Sequence, residues 1–279
     1  MEPSDLLIEA RDLVRHYPGP ARLGRRTDPV RAVDGVTFSV RAGETLGLVG
    51  ESGCGKSTLA RLLLGLDKPT SGSVLVAGRD VVGTTRARSR RIARDIQIVL
   101  QDPYTSLDPR MCVRDLVAEP LVIHRDAVPR DSRASVVRDA MDRVGLDPAL
   151  GDRFPHEFSG GQRQRISIAR ALVLNPRVLV LDEAVSALDV SVRAQILNLL
   201  RALQAEMQLS YVFISHDLPA VRQVSQRVAV MYSGKIVEFG SAKQVYEEPK
   251  HDYTRRLLAS VPSPDPRRRR TTDGLHNEE

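Results

Sequence analysis

Gly50-Glu51-Ser52-Gly53-Cys54-Gly55-Lys56-Ser57 constrains this chain more than any other stretch, because it satisfies G-x-x-x-x-G-K-[ST] and stands between a strand pattern and a helix pattern. Upstream, Thr45-Leu46-Gly47-Leu48-Val49 is a short apolar run bounded by Gly43 and Gly50. Downstream, Leu59, Leu62, Leu63 and Leu66 recur at helical spacing. Strand, glycine loop and helix in that order turn backbone N–H groups inward on a nucleotide's phosphates, and the positive end of the helix adds to their field. Lys56 is expected to reach the β- and γ-phosphates and the Ser57 hydroxyl to hold Mg²⁺, with Thr58 completing the nucleotide-binding stretch. A chance match is the competing explanation, at roughly a few in a thousand before the flanking strand and helix are required. The pattern implies binding of a nucleoside triphosphate.

A chain of 279 residues with 42% apolar content can bury a sizeable core as one large α/β domain or two small ones. No stretch approaches the roughly 18 consecutive apolar residues of a membrane span, and Met1-Glu2-Pro3-Ser4-Asp5 lacks the order of a signal peptide, so a cytosolic protein is expected. Cys54 and Cys112 allow neither a disulfide framework nor a four-thiolate metal site, and the six histidines are scattered singly. The net charge of +6 raises nucleic acid as a partner. Its distribution argues against that: arginine supplies most of the basic residues throughout the chain, and aromatic residues make up only 4%. The Arg267–Arg270 run is balanced by Asp265, Asp273, Glu278 and Glu279 and reads as a solvated tail.

Along the chain, Leu7–Leu13 and Val36–Val40 alternate as strands of a small antiparallel sheet, and residues 18–29 read as a loop. Ser73–Val76 with a turn at Gly78, an arginine-rich helix around 86–94 and the strand Ile96–Leu100 follow. From Val113 to Leu150 the apolar spacing is helical, which predicts a helical insertion. Val178–Leu181, Tyr211–Ile214 and Val228–Met231 are continuous apolar runs separated by helices, the pattern of doubly covered parallel strands. Lys235–Gly240 predicts a final hairpin strand, and the tail from Pro262 is expected to be poorly ordered.

Asp182 and Glu183 follow the run Val178–Leu181, at the carboxyl end of a parallel strand where ligands of open sheets bind. There Asp182 would hold Mg²⁺ through its water shell, and Glu183 would orient and polarise the water that attacks the γ-phosphate. An acidic pair capping a strand is otherwise a simple turn; the preceding phosphate loop favours the functional reading. Ser159-Gly160-Gly161-Gln162 opens a helix whose apolar face is Ile166, Ala169, Leu172 and Val173. Ser159 reads as its N-cap, and two glycines and a serine at a helix start also form a second anion site, for a phosphate that another subunit could bring.

Taken together, Gly50–Ser57, Gln101, Ser159–Gln162, Asp182-Glu183, Ser186–Asp189 and His216 stand in the order found in nucleotide-binding subunits of ATP-binding cassette (ABC) transporters. The resemblance covers roughly residues 5 to 260. It implies an α/β P-loop NTPase of RecA-like type, a parallel-sheet core with an antiparallel β subdomain and an inserted α-helical subdomain. Divided accordingly, residues 1–100 carry the first part of the core, 101–157 the helical subdomain, 158–250 the rest of the core, and 251–279 a family-specific extension. By the same resemblance Ser159, Gly160, Gly161 and Gln162 close over the γ-phosphate of ATP on an opposing subunit, with Asp189 at that interface. Gln101 reaches Mg²⁺ and the attacking water, His216 touches the γ-phosphate, and Tyr17 stacks on adenine. Phe158 stands where the family more often has Leu.

Gln101–Pro109, Ala184–Val192 and His251–Leu258 with Val261-Pro262 look like ATPase subunits of oligopeptide/dipeptide importers. Some of that group bind iron–sulfur through a C-terminal cysteine cluster; this chain, with no Cys after 112, resembles the paired subunit without one. The expected function is hydrolysis of ATP with Mg²⁺ to energise import, on the cytoplasmic face of the membrane. Its expected partners are a second homologous ATPase, two permease subunits and, indirectly, a solute-binding protein. Similar ATPases serve nickel and other small solutes. A soluble ABC protein acting on nucleic acid or ribosomes would carry tandem cassettes, a coiled coil or zinc-binding cysteines. A GTPase would carry an Asn-Lys-x-Asp motif, and none is present.

Overall fold

The computed structural model describes residues 6–19, 21–22, 25–26, 28–82 and 86–260; the basic run at 267–270 and the tail from Pro262 lie outside them. The chain begins with β1 (Leu6–Tyr17), the two-residue strands β2 (Ala21–Arg22) and β3 (Arg25–Arg26), β4 (Val30–Arg41) and β5 (Thr45–Val49). Then come α1 (Lys56–Leu63), β6 (Ser71–Val76), β7 (Arg79–Asp80), α2 (Arg86–Asp95) and β8 (Ile96–Val99). A helical stretch follows, with α3 (Pro103–Ser106), α4 (Val113–Ile123) and α5 (Arg133–Arg143), and residues 101–157 contain no strand. The last part runs α6 (Gly160–Leu172), β9 (Val178–Asp182), α7 (Val190–Met207), β10 (Ser210–Ile214) and α8 (Leu218–Val224). It ends with β11 (Arg227–Tyr232), β12 (Lys235–Ser241), α9 (Ala242–Glu247) and α10 (Asp252–Ala259).

Two sheets organise these elements. The six-stranded sheet has the order β12-β11-β5-β10-β9-β8. β11, β5, β10, β9 and β8 run parallel, and β12 turns back antiparallel on β11. Parallel strands must be covered on both faces, and the alternation along each strand shows how. Leu46, Leu48, Val178, Val180, Val212 and Ile214 face a core shared with α1, β1, β4 and β6. Leu179, Leu181, Tyr211, Phe213 and Val230 face the opposite core, filled by α4 to α8. The second sheet, β4-β1-β6-β7, is antiparallel.

Two local expectations differ from what is observed. α1 ends at Leu63, and Leu66, three residues on, is exposed, because Gly65 at φ 66° has already turned the chain away from the core. Residues 18–29 hold the short antiparallel pair β2–β3 rather than loop alone. Its apolar content is too low for periodicity to announce a strand.

Arg227 joins the two sheets. From β11 its Nη2 donates to the Ser39 carbonyl on β4 at 2.5 Å and to Glu44 Oε2 at 3.0 Å, while Nε donates to the same carboxylate. Glu44 is buried, at 9% exposure, and also accepts the Arg41 N–H. Removing one partner of such a pair leaves an uncompensated charge. Arg227→Met is therefore expected to lower unfolding free energy by about 3 kcal/mol, measured by urea titration; an unchanged midpoint would refute the bridge.

Candidate functional site

The carboxyl ends of the parallel strands bring the sequence-predicted residues to one edge. Gly50 follows β5, Asp182 ends β9, His216 lies just past β10, and Gln101 just past β8. The phosphate loop is pressed against the neighbouring backbone. A Cβ on Gly50 (φ 153°) would come within 2.2 Å of the Met231 carbonyl oxygen, and one on Gly55 (φ 113°) within 2.0 Å of the Ala32 carbonyl oxygen. Only glycine fits at these two positions, and the cradle they form keeps its amides free of side-chain bulk.

Lys56 opens α1 with 6% exposure. Its ammonium donates to the carbonyls of Gly50 at 2.7 Å and Glu51 at 2.8 Å, so the loop itself solvates a buried cation. Cys54 Sγ lies 3.8 Å from the same nitrogen, and burial pushes its thiol pKa up despite that cation. The Ser57 side chain faces the Asp182 carboxyl. Burial first, and then the adjacent Glu183 carboxylate, raise the Asp182 pKa; Lys56 and Ser57 oppose this less strongly. A hydroxyl and a carboxylate whose charge is undercompensated make a hard oxygen donor set suited to Mg²⁺.

Glu183 sits at φ 50°, a left-handed conformation that an L-residue adopts at a cost of about 1–3 kcal/mol. Its N–H donates to the Ile214 carbonyl at 2.9 Å, which holds that turn against the end of β10. The side chain is thereby aimed at His216, whose Nδ1 lies 3.2 Å from Glu183 Oε1. A pocket of about 420 Å³ opens here, lined by Gly50, Glu51, Ser52, Glu183, His216, Leu218 and Leu257.

A second group of predicted residues stands outside that pocket. Ser159 N-caps α6: its Oγ accepts from Gln162 N at 3.3 Å while Gln162 Oε1 accepts from Ser159 N at 2.9 Å. A Cβ on Gly161 would come within 2.5 Å of Val192 Cγ1, whereas one on Gly160 would meet only Leu188 Cδ2 at 3.9 Å. Asp189 caps α7 by accepting from Val192 N at 2.9 Å. Gly160 and Gly161 therefore lie against Leu188 and Val192, the residues that flank the Asp189 cap. Gln101 is exposed and does not line the pocket. Neither does Tyr17, whose hydroxyl donates to Asp67 at 2.5 Å and whose ring lies 4.4 Å beneath the Arg15 guanidinium.

Two residues stand at the site that sequence reasoning did not place there. Arg193 on α7 pairs with Asp217 beside His216 and donates to the Leu188 carbonyl at 3.0 Å, linking the two clusters. Tyr253 on α10 accepts the Glu51 N–H at 2.9 Å.

The chain matches the ABC transporter family over residues 33–186 and the oligopeptide/dipeptide transporter C-terminal region over residues 237–279. It is 51% identical to a di/tripeptide transport ATP-binding protein, DppF, of Pseudomonas aeruginosa strain UCBPP-PA14, across 94% of this chain and 81% of that protein. Against the oligopeptide transport ATP-binding protein OppF of Escherichia coli K12 the identity is 48%, across 95% and 80%. Among solved structures, cbiO1 from Clostridium perfringens superposes with a TM-score of 0.76 at 30% identity, covering 88% of this chain and 92% of its own. The ATP-binding cassette MJ0796, solved as a dimer in a post-hydrolysis state with ADP and Pi, gives 0.73 at 26% identity, covering 84% and 98%. The expected P-loop NTPase α/β fold is thus the observed one.

The raised Asp182 pKa fixes a sign. A carboxyl whose folded pKa exceeds its unfolded value stabilises the fold below the unfolded pKa and loses that contribution as pH rises through the folded pKa. Asp182→Asn is therefore expected to raise the melting temperature of the nucleotide-free protein at neutral pH, with the gain shrinking in acid, while Mg²⁺-dependent nucleotide binding weakens. A lower melting temperature at neutral pH would contradict the charge argument.

Proposed function

The chain belongs to the ABC transporter family, as an ATP-binding and ATP-hydrolysing subunit that energises transport, and from that premise we propose which residues do the work and for what cargo. The observation that carries the proposal is the separation of two clusters on one chain. Gly50–Thr58, Asp182, Glu183 and His216 gather at the carboxyl edge, whereas Ser159–Gln162 and Asp189 cap the starts of α6 and α7. The reading supported is a head-to-tail dimer with a homologous ATPase, in which each loop is closed by the opposing Ser159–Gln162.

Within such a site Lys56 exchanges its loop carbonyls for the β/γ-phosphates, and the amides from Ser52 to Thr58 cradle them. Ser57 and Asp182, with Gln101 approaching from the end of β8, would hold Mg²⁺, which when bound neutralises phosphate charge. Glu183 orients and polarises the attacking water, and His216, held 3.2 Å from it, turns towards the γ-phosphate. Tyr17 remains the proposed adenine platform, with one face already covered by Arg15. We divide the chain at 100/101, 157/158 and 250/251, a division supported by the absence of strands from 101–157.

The match over residues 237–279 and the names of the relatives support a peptide cargo of two to several residues. No described helix is long and apolar enough to cross a membrane. Attachment to two permease subunits at the cytoplasmic face, fed by a solute-binding protein, follows as part of the same proposal. Cells lacking the chain should lose uptake of a labelled tripeptide while keeping that of nickel; intact peptide uptake would overturn the cargo.

Glu183→Gln is expected to retain ATP affinity and lose about 10²–10⁴-fold in turnover, the usual worth of a general base. Wild-type-like hydrolysis with the partner present would remove Glu183 from the catalytic role. For the second cluster Gly160→Asp is the informative change, because Gly160 has room for a side chain where Gly161 does not. An acidic residue in the first turn suits the helix but repels a phosphate. ATP binding to the chain's own loop should survive, and ATP-dependent dimerisation should be lost. Wild-type dimerisation by this variant would refute the second anion site.

A further inference from the structure

The phosphate loop is held from outside by a residue to which the cassette motifs assign nothing. The peptide group between Gly50 and Glu51 is hydrogen-bonded at both ends: its carbonyl accepts from the Lys56 ammonium at 2.7 Å, and its N–H donates to the Tyr253 hydroxyl at 2.9 Å. Tyr253 lies in the segment matched as the oligopeptide/dipeptide transporter C-terminal region, 202 residues along the chain from Glu51. It is anchored on every side. Its exposure is 3%, and its ring packs on Tyr232 with centroids 4.3 Å apart. The turn before it is fixed by Glu238 of β12, which accepts from Lys250 N at 2.8 Å and His251 N at 3.0 Å. One turn further along α10, Leu257 lines the nucleotide pocket.

A glycine on one side of a peptide group makes its rotation inexpensive, since no Cβ resists the change in ψ. Rotation of the 50–51 peptide would take the Gly50 carbonyl away from Lys56 and turn the Glu51 N–H, now held by Tyr253, towards that ammonium. The buried cation would then lose one of its two carbonyl acceptors and face the positive end of a peptide dipole instead. We propose that Tyr253 is a positioning residue for the phosphate loop, its hydroxyl locking the Gly50–Glu51 peptide in the orientation that keeps Lys56 and the loop amides ready for ATP. The C-terminal extension thereby becomes a structural part of the nucleotide site. The inference rests on the loop being the ATP site, as proposed above.

Tyr253→Phe removes the hydroxyl and keeps the ring; Tyr232→Phe removes a hydroxyl from the same stack without touching Glu51. Three quantities are measured on the full chain: MgATP affinity by calorimetry, melting temperature, and the rate at which maleimide modifies Cys54 in nucleotide-free protein. Cys54 is 7% exposed inside the loop, so its alkylation reports loop opening without any nucleotide. Tyr253→Phe is expected to weaken MgATP about 3- to 10-fold, the worth of one hydrogen bond, and to speed Cys54 alkylation by a similar factor. Its melting temperature should fall by about 2–4 °C, because the Glu51 N–H loses its acceptor, and in assays with the partner ATPase the loss should appear in KM for ATP rather than in kcat. Tyr232→Phe should match wild type throughout. Unchanged affinity and alkylation in Tyr253→Phe, or equal changes in both variants, would overturn the inference. If the wild type itself fails to bind MgATP, the site reading falls, whereas the alkylation comparison still judges the Tyr253 contact.

Discussion

A buried ammonium without a carboxylate partner within bonding distance is the condition around which this structure is built. Among the described residues Lys56 joins no ion pair and is held by two carbonyls of its own loop. Two carbonyl dipoles only partly replace the water that burial removes from a cation. Close by, Asp182 has the opposite deficit, a carboxyl pushed towards protonation by burial and by Glu183. Each centre is improved by a ligand of opposite charge. A phosphate chain would answer the first and a divalent cation the second, which is the physical ground for the proposed magnesium nucleotide. The parallel sheet serves to hold these unsatisfied charges at one edge, because each strand can then end in a loop that faces the same solvent.

Placement of the Glu183 carboxylate, the proposed catalytic group, depends on strain that the assembled sheet sustains. Glu183 in the left-handed region would relax if released, and the hydrogen bond from its N–H to the Ile214 carbonyl closes that route. Because β9 and β10 are in parallel register up to Ile214 and Asp182, the same ladder that builds the core also sets the distance from Glu183 to His216. The core and the site are therefore one mechanical unit. Arg193 extends it, since one guanidinium grips the Leu188 carbonyl ahead of Asp189 and the Asp217 carboxylate beside His216. Movement of His216 towards a phosphate would pull on the turn that presents Asp189.

Much of this was legible in residue order. Thr45–Val49, bounded by glycines, could only be a buried strand, and it is fully buried. The Ser159 cap with Gln162 three residues on could be read directly, since capping is a contact between near neighbours. What stayed hidden is long-range. No periodicity connects Glu51 with Tyr253, and Arg193 looks like any other arginine on an arginine-rich chain until the loops it bridges are brought together. The Tyr17 ring was legible as a possible stacking face, but its coverage by Arg15 and its bond to Asp67 come from strand alternation on β1 and from a turn 50 residues away.

The two signature glycines show how packing and chemistry divide a motif that reads as one unit. Gly161 is required within the chain, because any side chain there would strike Val192 on α7. Gly160 faces open space, with Leu188 at ordinary contact distance, so nothing inside the chain demands a glycine. An unnecessary glycine in the first turn of a helix costs backbone entropy with no packing return. A return from outside the chain accounts for it: close backbone approach to a ligand is the other circumstance in which a missing Cβ is an advantage. The helix positive end and the capped Ser159 suit this position to an anion. The asymmetry between two adjacent glycines is thus what the proposed closure over a partner's phosphate would ask of this surface.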